Sequence, residues 1–351
     1  MKSTLVLVVL AGAVAAEKRT EPPAGCLVVS KSPASGQYSS VSAAVRALPT
    51  SSGGDQCIWI NQGTYSEQVL VSSRAARLTI YGYTTDTSDY KQNKVTITAS
   101  HSQKEGIGND ETGTLRVKAA NFKLYNVNVN NGFGKGSQAI ALSAYADSGY
   151  YGCAFTGFQD TLLANTGAQL YSSCLIQGAT DFIFGQHATA WFEDCDIRVV
   201  AASTGYITGT ARPATGKKTT LINTPPSLPA SGRDSASDPS YYVFNGCTVE
   251  AASGQSVPSG AYFLGRPWRQ YARVVFQNTA MSSVVNGAGW RVWNSGDERT
   301  SNVLFGEYGN SGPGSQGSRA GFSRKLTSAV SISTVLGGGY AGKGFYDASY
   351  M

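Results

Sequence analysis

The sequence is poor in charge, since only 14% of its 351 residues are Asp, Glu, Lys or Arg. Glycine, by contrast, occurs 41 times, and Ser, Thr, Asn and Tyr are abundant. This composition suits many short strands joined by turns better than solvent-exposed helices. We therefore expect an all-β architecture.

The chain also has few residues of the kinds that bind zinc. It contains two histidines, His101 and His187, and none of its six cysteines belongs to a Cys-x-x-Cys pair. A structural zinc site and a histidine-based catalytic triad are therefore not expected. His187, in the stretch FGQHA, fits a hydrogen-bonded structural role better than catalysis.

Beyond the N-terminus, the chain has no apolar run long enough to cross a bilayer. The opening MKSTLVLVVLAGAVAAE has one Lys, a short apolar run and small residues, which is typical of a cleavable signal peptide. We expect residues 1–16 to be this signal peptide and the protein to be secreted. Residues 17–24 form a short segment in which Lys18 and Arg19 are either a second processing site or a solvated pair.

The net charge of +6 is not concentrated in any cluster of Lys and Arg with interleaved aromatic residues. A nucleic-acid site is therefore not expected, although a mildly basic surface can attract a polyanion. We expect no membrane partner either, and we expect a monomer.

The chain does contain an internal repeat. An aromatic residue is followed at the third position by Cys or Tyr and at the fifth by an apolar residue. The copies are Phe122/Tyr125/Val127, Tyr150/Cys153/Phe155, Tyr171/Cys174/Ile176, Phe192/Cys195/Ile197 and Phe244/Cys247/Val249. Successive cysteines from Cys153 to Cys195 are 21 residues apart. A unit this short fits one coil of a parallel β-helix, and the preference of parallel crossovers makes it right-handed.

Residues 25–351 are expected to form this single β-helix domain. Residues 38–49 contain apolar residues at helical spacing, which predicts a short N-terminal helix that caps one end of the coil stack. The Pro- and Ser-rich residues 224–240 predict an exposed loop inserted between two coils.

Two cysteines, Cys26 and Cys57, each open a short apolar run, CLVV and CIWI. In an oxidising compartment they can form a disulfide if these two runs are neighbours. The repeated Cys153, Cys174 and Cys195 are open to either pairing or remaining as thiols in the core.

Two aspartates occupy equivalent positions on consecutive coils, because Asp160 and Asp181 are 21 residues apart. Gln138 and Gln159 are also 21 residues apart, and neighbouring strands stack about 4.8 Å from one another. Two carboxyl groups this close repel when both are ionised, so one is expected to keep its proton while the other stays charged beside a cation. Arg266, in the stretch LGRPW, is a plausible cation.

The two aspartates and two glutamines, called the polar grid below, present one geometric difficulty and one structural alternative. Successive residues of a flat strand face opposite sides, so Gln159 and Asp160 can serve one site only at a bend. The alternative is a hydrogen-bonded side-chain ladder with no catalytic role, of the kind that stacked coils also form.

Several separated motifs resemble one known family. They are GTYSEQV from Gly63, QAIAL from Gln138, GFQDTLL from Gly157, YSSCLIQGATDFIFG from Tyr171, LGRPW from Leu264, GWRVWN from Gly289 and EYGNSGPG from Glu307. In this order they resemble the pectin methylesterases, which are β-helical carbohydrate esterases. The similarity extends from about Cys26 to about Leu336. The chain departs from many members of that family at Leu163 and Thr180, beside the expected site.

The resemblance implies hydrolysis of the C6 methyl esters of galacturonate units in pectin, with no metal or organic cofactor. It also implies catalytic roles for five side chains and a substrate contact for Trp268. In this assignment Asp181 is the nucleophile, Asp160 the general acid and base, Gln138 and Gln159 the oxyanion hole, and Arg266 the partner of Asp181.

Two other functions compete with the esterase hypothesis. A β-helical glycosidase or lyase acting on the same polymer would also use acidic residues, but paired glutamines beside the aspartates favour an ester carbonyl. A wall-binding protein that kept the fold and lost turnover is the non-enzymatic alternative.

Overall fold

The computed structural model describes residues 17–209, 233 and 235–351. The predicted signal peptide, residues 1–16, and most of the predicted inserted loop, residues 224–240, lie outside the described residues. In the described part, 26 strands form three sheets in which all pairs of these strands are parallel. No helix in this part is long and apolar enough to span a bilayer.

Strands are numbered in chain order, and each sheet takes about every third strand. The eleven-stranded sheet contains, in spatial order, β1 (Leu27–Val29), β2 (Asp55–Ile60), β5 (Arg77–Gly82), β8 (Phe122–Tyr125), β11 (Ser148–Tyr151), β14 (Thr166–Ser172), β17 (His187–Glu193), β20 (Tyr241–Asn245), β23 (Arg273–Gln277), β25 (Leu304–Tyr308) and β26 (Arg324–Lys325).

The other two sheets follow the same sequential order. The eight-stranded sheet contains β3 (Gly63–Ser66), β6 (Val95–Ala99), β9 (Asn128–Asn131), β12 (Ala154–Thr156), β15 (Leu175–Gly178), β18 (Asp196–Val199), β21 (Thr248–Ala251) and β24 (Ala280–Met281). The seven-stranded sheet contains β4 (Val69–Val71), β7 (Leu115–Val117), β10 (Leu142–Ala144), β13 (Leu162–Ala164), β16 (Thr180–Phe184), β19 (Gly205–Thr208) and β22 (Tyr262–Gly265). Because successive coils add one strand to each sheet, the fold is the predicted parallel β-helix.

Helices are few and short in the described residues. The α-helices are α1 (Val41–Ala47) and α2 (Ile332–Leu336), and the 3₁₀ turns are Tyr90–Gln92, Gln103–Glu105, Asp110–Thr112, Pro313–Ser315, Tyr340–Gly342 and Ala348–Tyr350. The predicted N-terminal helix is confirmed as α1, whose N-cap Ser40 accepts a hydrogen bond from the Ala43 N–H. The Glu67 carboxylate accepts hydrogen bonds from the backbone N–H groups of Val41 and Ser42, which have no partner within α1. These bonds anchor the start of α1 to the coil beneath it.

Aromatic side chains form a column through the core, as the repeat predicts. Strand pairing aligns Tyr150, Tyr171, Phe192, Phe244 and Phe276. Neighbouring rings in this column stack with centroids 4.3–4.8 Å apart. The repeat therefore does set the register of these coils.

The first copy of the repeat was aligned wrongly. Tyr150 pairs with Leu124 and Phe155 with Val129, so the predicted partners Phe122 and Val127 are each two residues out of register. Burial does not separate the two registers, because Phe122 and Leu124 lie on the same face of β8 and both have no exposed surface. The spacing of 21 does not apply to this coil either, since Leu124 and its partner Tyr150 are 26 residues apart.

The repeated cysteines are free and buried thiols, which settles that open question. The column also includes Cys247, and each thiol donates to the backbone carbonyl two residues before it, at 3.3–3.5 Å. On the next coil the Thr279 hydroxyl makes the equivalent bond to the Gln277 carbonyl at 3.0 Å. Each thiol or hydroxyl in this column therefore has a backbone carbonyl as a nearby hydrogen-bond acceptor inside the core.

The N-terminal end of the helix is closed by covalent and polar contacts. Cys26 and Cys57 form a disulfide. The apolar runs that follow the two cysteines pair in parallel, Leu27–Val29 with residues 58–60, as the prediction required. Arg19 exchanges backbone hydrogen bonds with Thr84, and its guanidinium donates to Asn126 at 2.9 Å. Of the dibasic pair, Arg19 is thus part of the fold rather than a solvated side chain.

Candidate active site

Backbone pairing brings the predicted polar columns together on consecutive coils. Gln159 forms a parallel bridge with Thr180, and the Asp160 N–H donates to the Thr180 carbonyl at 3.2 Å. One coil earlier, the Ala139 N–H donates to the Gln159 carbonyl at 3.1 Å. Asp160, just before β13, and Asp181, on β16, therefore lie on neighbouring coils, and Gln138 and Gln159 precede the first of them in the same region.

Both aspartates adopt the bend that the grid required. Their φ angles are +63° at Asp160 and +46° at Asp181, in the left-handed region that aspartate tolerates better than most residues. Beside Asp181 the pairing of β16 with β19 shifts register between Thr180 and Ile183. These departures from a flat strand allow adjacent residues such as Gln159 and Asp160 to face one site.

Arg266 forms a buried, two-pronged ion pair with Asp181. Its Nη2 lies 2.7 Å from Oδ2 and its Nε lies 3.1 Å from Oδ1. The Asp181 side chain has no exposed surface and the Arg266 side chain only 8%. Two parallel charge-assisted bonds in a dry setting fix both the position and the plane of the carboxylate.

The ion pair spans an intervening strand, and this depends on Gly209. Arg266 directly follows β22, whereas Asp181 belongs to β16, and β19 lies between them. Gly209 follows β19, and a Cβ there would lie 2.5 Å from Asp181 Oδ1 and 2.8 Å from Arg266 Cγ. Its φ of +134° also favours glycine. The sequence argument did not single out Gly209.

Asp160 is a buried carboxyl group with an unusual environment. It has no exposed surface, and the neighbouring Gln159 side chain and Arg266 are the groups that favour its charged form. Burial, followed by repulsion from Asp181, raises the pKa of Asp160 well above its ordinary value of 3.8, with Arg266 opposing the shift. This shift favours the protonated form of the carboxyl group, which is the form that can donate a proton.

Asp181 is also buried, but the nearby cation favours its charged form. Burial raises the pKa of Asp181 to about 6, while the charge and hydrogen bonds of Arg266 hold it below what burial alone would give. The surroundings therefore favour the protonated form of Asp160 and the charged form of Asp181. One acid and one carboxylate side by side are the equipment of covalent acyl transfer.

The predicted glutamines and Trp268 differ in their exposure, and Trp268 packs with Trp293, whose ring lies 4.5 Å from the Arg266 guanidinium. Gln138 and Gln159 are partly exposed. Trp268 is largely buried, with 8% of its surface exposed, and it belongs to an apolar cluster on the same face of the helix. The buried members of the cluster are Ile140, Leu163, Phe184, Trp268 and Trp293.

The family model described as pectinesterase matches residues 27–328. The chain belongs to the pectinesterase family. It is therefore an enzyme, a carboxylic ester hydrolase, as the separated motifs predicted. The matched range covers all the predicted site residues.

Individual pectinesterases resemble the chain over its whole length. One from Aspergillus niger is 45% identical over 353 residues, which is 100% of this chain and 99% of that relative. One from Aspergillus aculeatus is 45% identical over 354 residues and is covered completely.

Solved structures of pectin methylesterases have the same fold. The crystal structure of the Aspergillus niger enzyme in deglycosylated form has a TM-score of 0.81 at 40% identity, covering 95% of this chain and 100% of that one. The enzyme from carrot has a TM-score of 0.75 at 26% identity, covering 91% and 95% of the two chains.

Proposed function

We propose that the enzyme hydrolyses the C6 methyl esters of galacturonate units in pectin through an acyl-enzyme formed on Asp181. The observation that carries this proposal is the pair of neighbouring buried carboxyl groups, of which Arg266 binds only Asp181. Pectinesterases at 45% identity over the full chain support the substrate.

In the first half of the reaction, the Asp181 carboxylate attacks the ester carbonyl carbon. The side-chain amides of Gln138 and Gln159 donate hydrogen bonds to the developing oxyanion. As the tetrahedral intermediate collapses, the bond to the methoxy oxygen breaks and Asp160 gives its proton to that oxygen. Methanol leaves, and the galacturonate carboxyl remains joined to Asp181 as an anhydride.

In the second half, Asp160 acts as a general base. Having lost its proton, it takes one from a water molecule that attacks the same carbonyl carbon, and the Asp181–acyl bond breaks. The products are regenerated Asp181 carboxylate, protonated Asp160 and a carboxylic acid on the polymer, which loses its remaining proton to the solvent to become a carboxylate. Each turnover thus consumes one water and releases one methanol.

Trp268 is proposed as a substrate contact, since it lies in the apolar cluster on the site face. An indole face suits the flat apolar side of a sugar ring. We also propose that the enzyme is a secreted monomer. The composition of residues 1–16, which is typical of a signal peptide, and the Cys26–Cys57 disulfide support secretion.

The test is methanol release from highly methylated pectin, with polymer viscosity followed in parallel, for the wild type and Asp181→Asn. We expect methanol without chain cleavage in the wild type and no methanol from the variant. Exposed Asp55 gives a matched control, because Asp55→Asn removes a carboxylate far from the site. Full activity of Asp181→Asn contradicts the mechanism, and a rapid fall in viscosity without methanol indicates a depolymerising enzyme instead.

A further inference from the structure

Arg266 touches two aromatic rings as well as Asp181. Its guanidinium carbon lies 4.0 Å from the centroid of the Tyr206 ring and 4.5 Å from that of the Trp293 ring. Tyr206 is on β19, the strand that the ion pair crosses, and Trp293 follows β24 in a separate connection. Two distant parts of the chain thus supply rings to one guanidinium.

The Trp293 ring is itself held firmly. A second guanidinium, that of Arg299, lies 4.8 Å from its centroid, and Arg299 pairs with Asp297 and donates to the Trp268 carbonyl. The backbone N–H of Trp293 donates to the Glu298 backbone carbonyl at 3.2 Å, which closes a tight turn. Trp293 is largely buried, in the same apolar cluster as Trp268.

These contacts bear on how the ion pair keeps its geometry. An arginine side chain has many rotamers, and a two-pronged bond to a carboxylate needs one plane of the guanidinium. Aromatic faces attract a guanidinium and restrict its position. No other group in the described residues is seen to hold the Arg266 guanidinium apart from Asp181 and these two rings.

We propose that Tyr206 and Trp293 are positioning residues that hold the Arg266 guanidinium in the plane of the Asp181 carboxylate. Their effect on Asp181 is exerted through Arg266. This inference rests on the proposed role of Asp181 as the nucleophile. It goes beyond that role because it assigns a task to two residues outside the polar grid.

The consequence is a change in the acidity of Asp181. Arg266 opposes the rise in the Asp181 pKa that burial causes, so a guanidinium that can swing away opposes it less. Loss of either ring is therefore expected to move the acid limb of the kcat/KM profile to higher pH, by about half a unit or more. A residue that merely contacts the sugar changes KM and leaves this limb in place.

The experiment compares pH profiles of kcat/KM for the wild type, Trp293→Leu, Trp293→Phe and Tyr206→Leu. We expect the two leucine variants to shift the acid limb upward and Trp293→Phe, which keeps a ring, to restore much of the wild-type limb. Trp191→Leu is the matched control, since Trp191 is 4% exposed on the eleven-stranded sheet away from the site. If Trp293→Leu does not fold, the partly exposed Tyr206 still provides the test.

A readout independent of turnover separates this inference from the mechanism. Carboxyl-carbon NMR titration gives the pKa of Asp181 directly, with the signal assigned by its loss in Asp181→Asn. An upward shift in the leucine variants supports the positioning role even if Asp181→Asn keeps activity and the nucleophile is reassigned. An unchanged titration in folded Trp293→Leu and Tyr206→Leu, or a change in KM alone, overturns it.

Discussion

Arg266 binds Asp181 through both carboxylate oxygens, at 2.7 and 3.1 Å, across a strand that lies between them. The pair is buried, and burying two charges is favourable only when geometry and hydrogen bonding are good. The left-handed backbone at Asp181 and the missing Cβ at Gly209 are two features of the site that make this contact possible.

Gly209→Ala is expected to lower kcat by about 10²-fold or more, because a Cβ at this position would displace Asp181 or Arg266 and misplacement of about 1 Å has such an effect. The measurement is steady-state methanol release. Gly254→Ala is the control, since Gly254 also has a positive φ, +74°, but a Cβ there meets nothing within 4 Å. Equal kcat in Gly209→Ala and the wild type would show that the ion pair does not need this gap.

The pH dependence of kcat/KM should have an acid limb near pH 6. The attacking Asp181 must be ionised, and its pKa is raised to about 6, so activity is expected to rise as pH increases through that value. Asp160 must carry its proton, and its pKa is raised well above the ordinary value, so activity is expected to fall as pH rises through that raised pKa. Undiminished activity at pH 4 in initial-rate assays would contradict this assignment.

Asp160→Asn is expected to become more stable than the wild type as pH rises. Because the folded-state pKa of Asp160 lies above its unfolded value, the stability from this group is complete below about pH 4 and is lost as pH rises through the folded-state pKa. The free energy of unfolding of the wild type falls by at most about 1.4 kcal/mol per pH unit from this group. Asp160→Asn has no ionisable group at this position and does not show this fall.

The check is the thermal midpoint of Asp160→Asn and the wild type between pH 4 and pH 9. The exposed Glu21→Gln serves as the control for removing one carboxyl group from the surface. A constant difference between Asp160→Asn and the wild type across this range would mean that Asp160 is not held protonated by the fold.

Gln138→Ala is expected to lower kcat by about 10²- to 10³-fold with little change in KM, because an oxyanion donor acts mainly in the transition state. Gln62→Ala, at an exposed position on an early coil, should keep wild-type kinetics. If kcat of Gln138→Ala stays within a factor of two of the wild type, Gln138 is not an oxyanion donor.

The four free cysteines are expected to be unreactive in the folded protein. Cys153, Cys174, Cys195 and Cys247 are buried in one column, so a thiol reagent should modify none of them until the chain is unfolded in denaturant, when four should react. Spectrophotometric thiol titration distinguishes these states. Rapid modification of any thiol under native conditions would show that the coils open locally.

The repeat predicted the fold well because each coil must bury the same inward positions. Tyr150, Tyr171 and Phe192 stack as their spacing of 21 indicates. The alignment was wrong at Phe122, where the coil is longer than 21 residues and both Phe122 and Leu124 are fully buried, so neither spacing nor burial fixes the register. Periodicity is thus informative where coils are equal in length and ambiguous where a loop intervenes.

The sequence by itself determined the coil architecture, the neighbouring positions of Asp160 and Asp181, and their resemblance to a family of esterases. Only the tertiary structure decided that both aspartates turn left-handed, that Gly209 leaves room for Arg266, and that Tyr206 and Trp293 lie against its guanidinium. The reason is physical: a repeat specifies which residues stack, whereas backbone bends and contacts across an intervening strand depend on the packing of several coils at once.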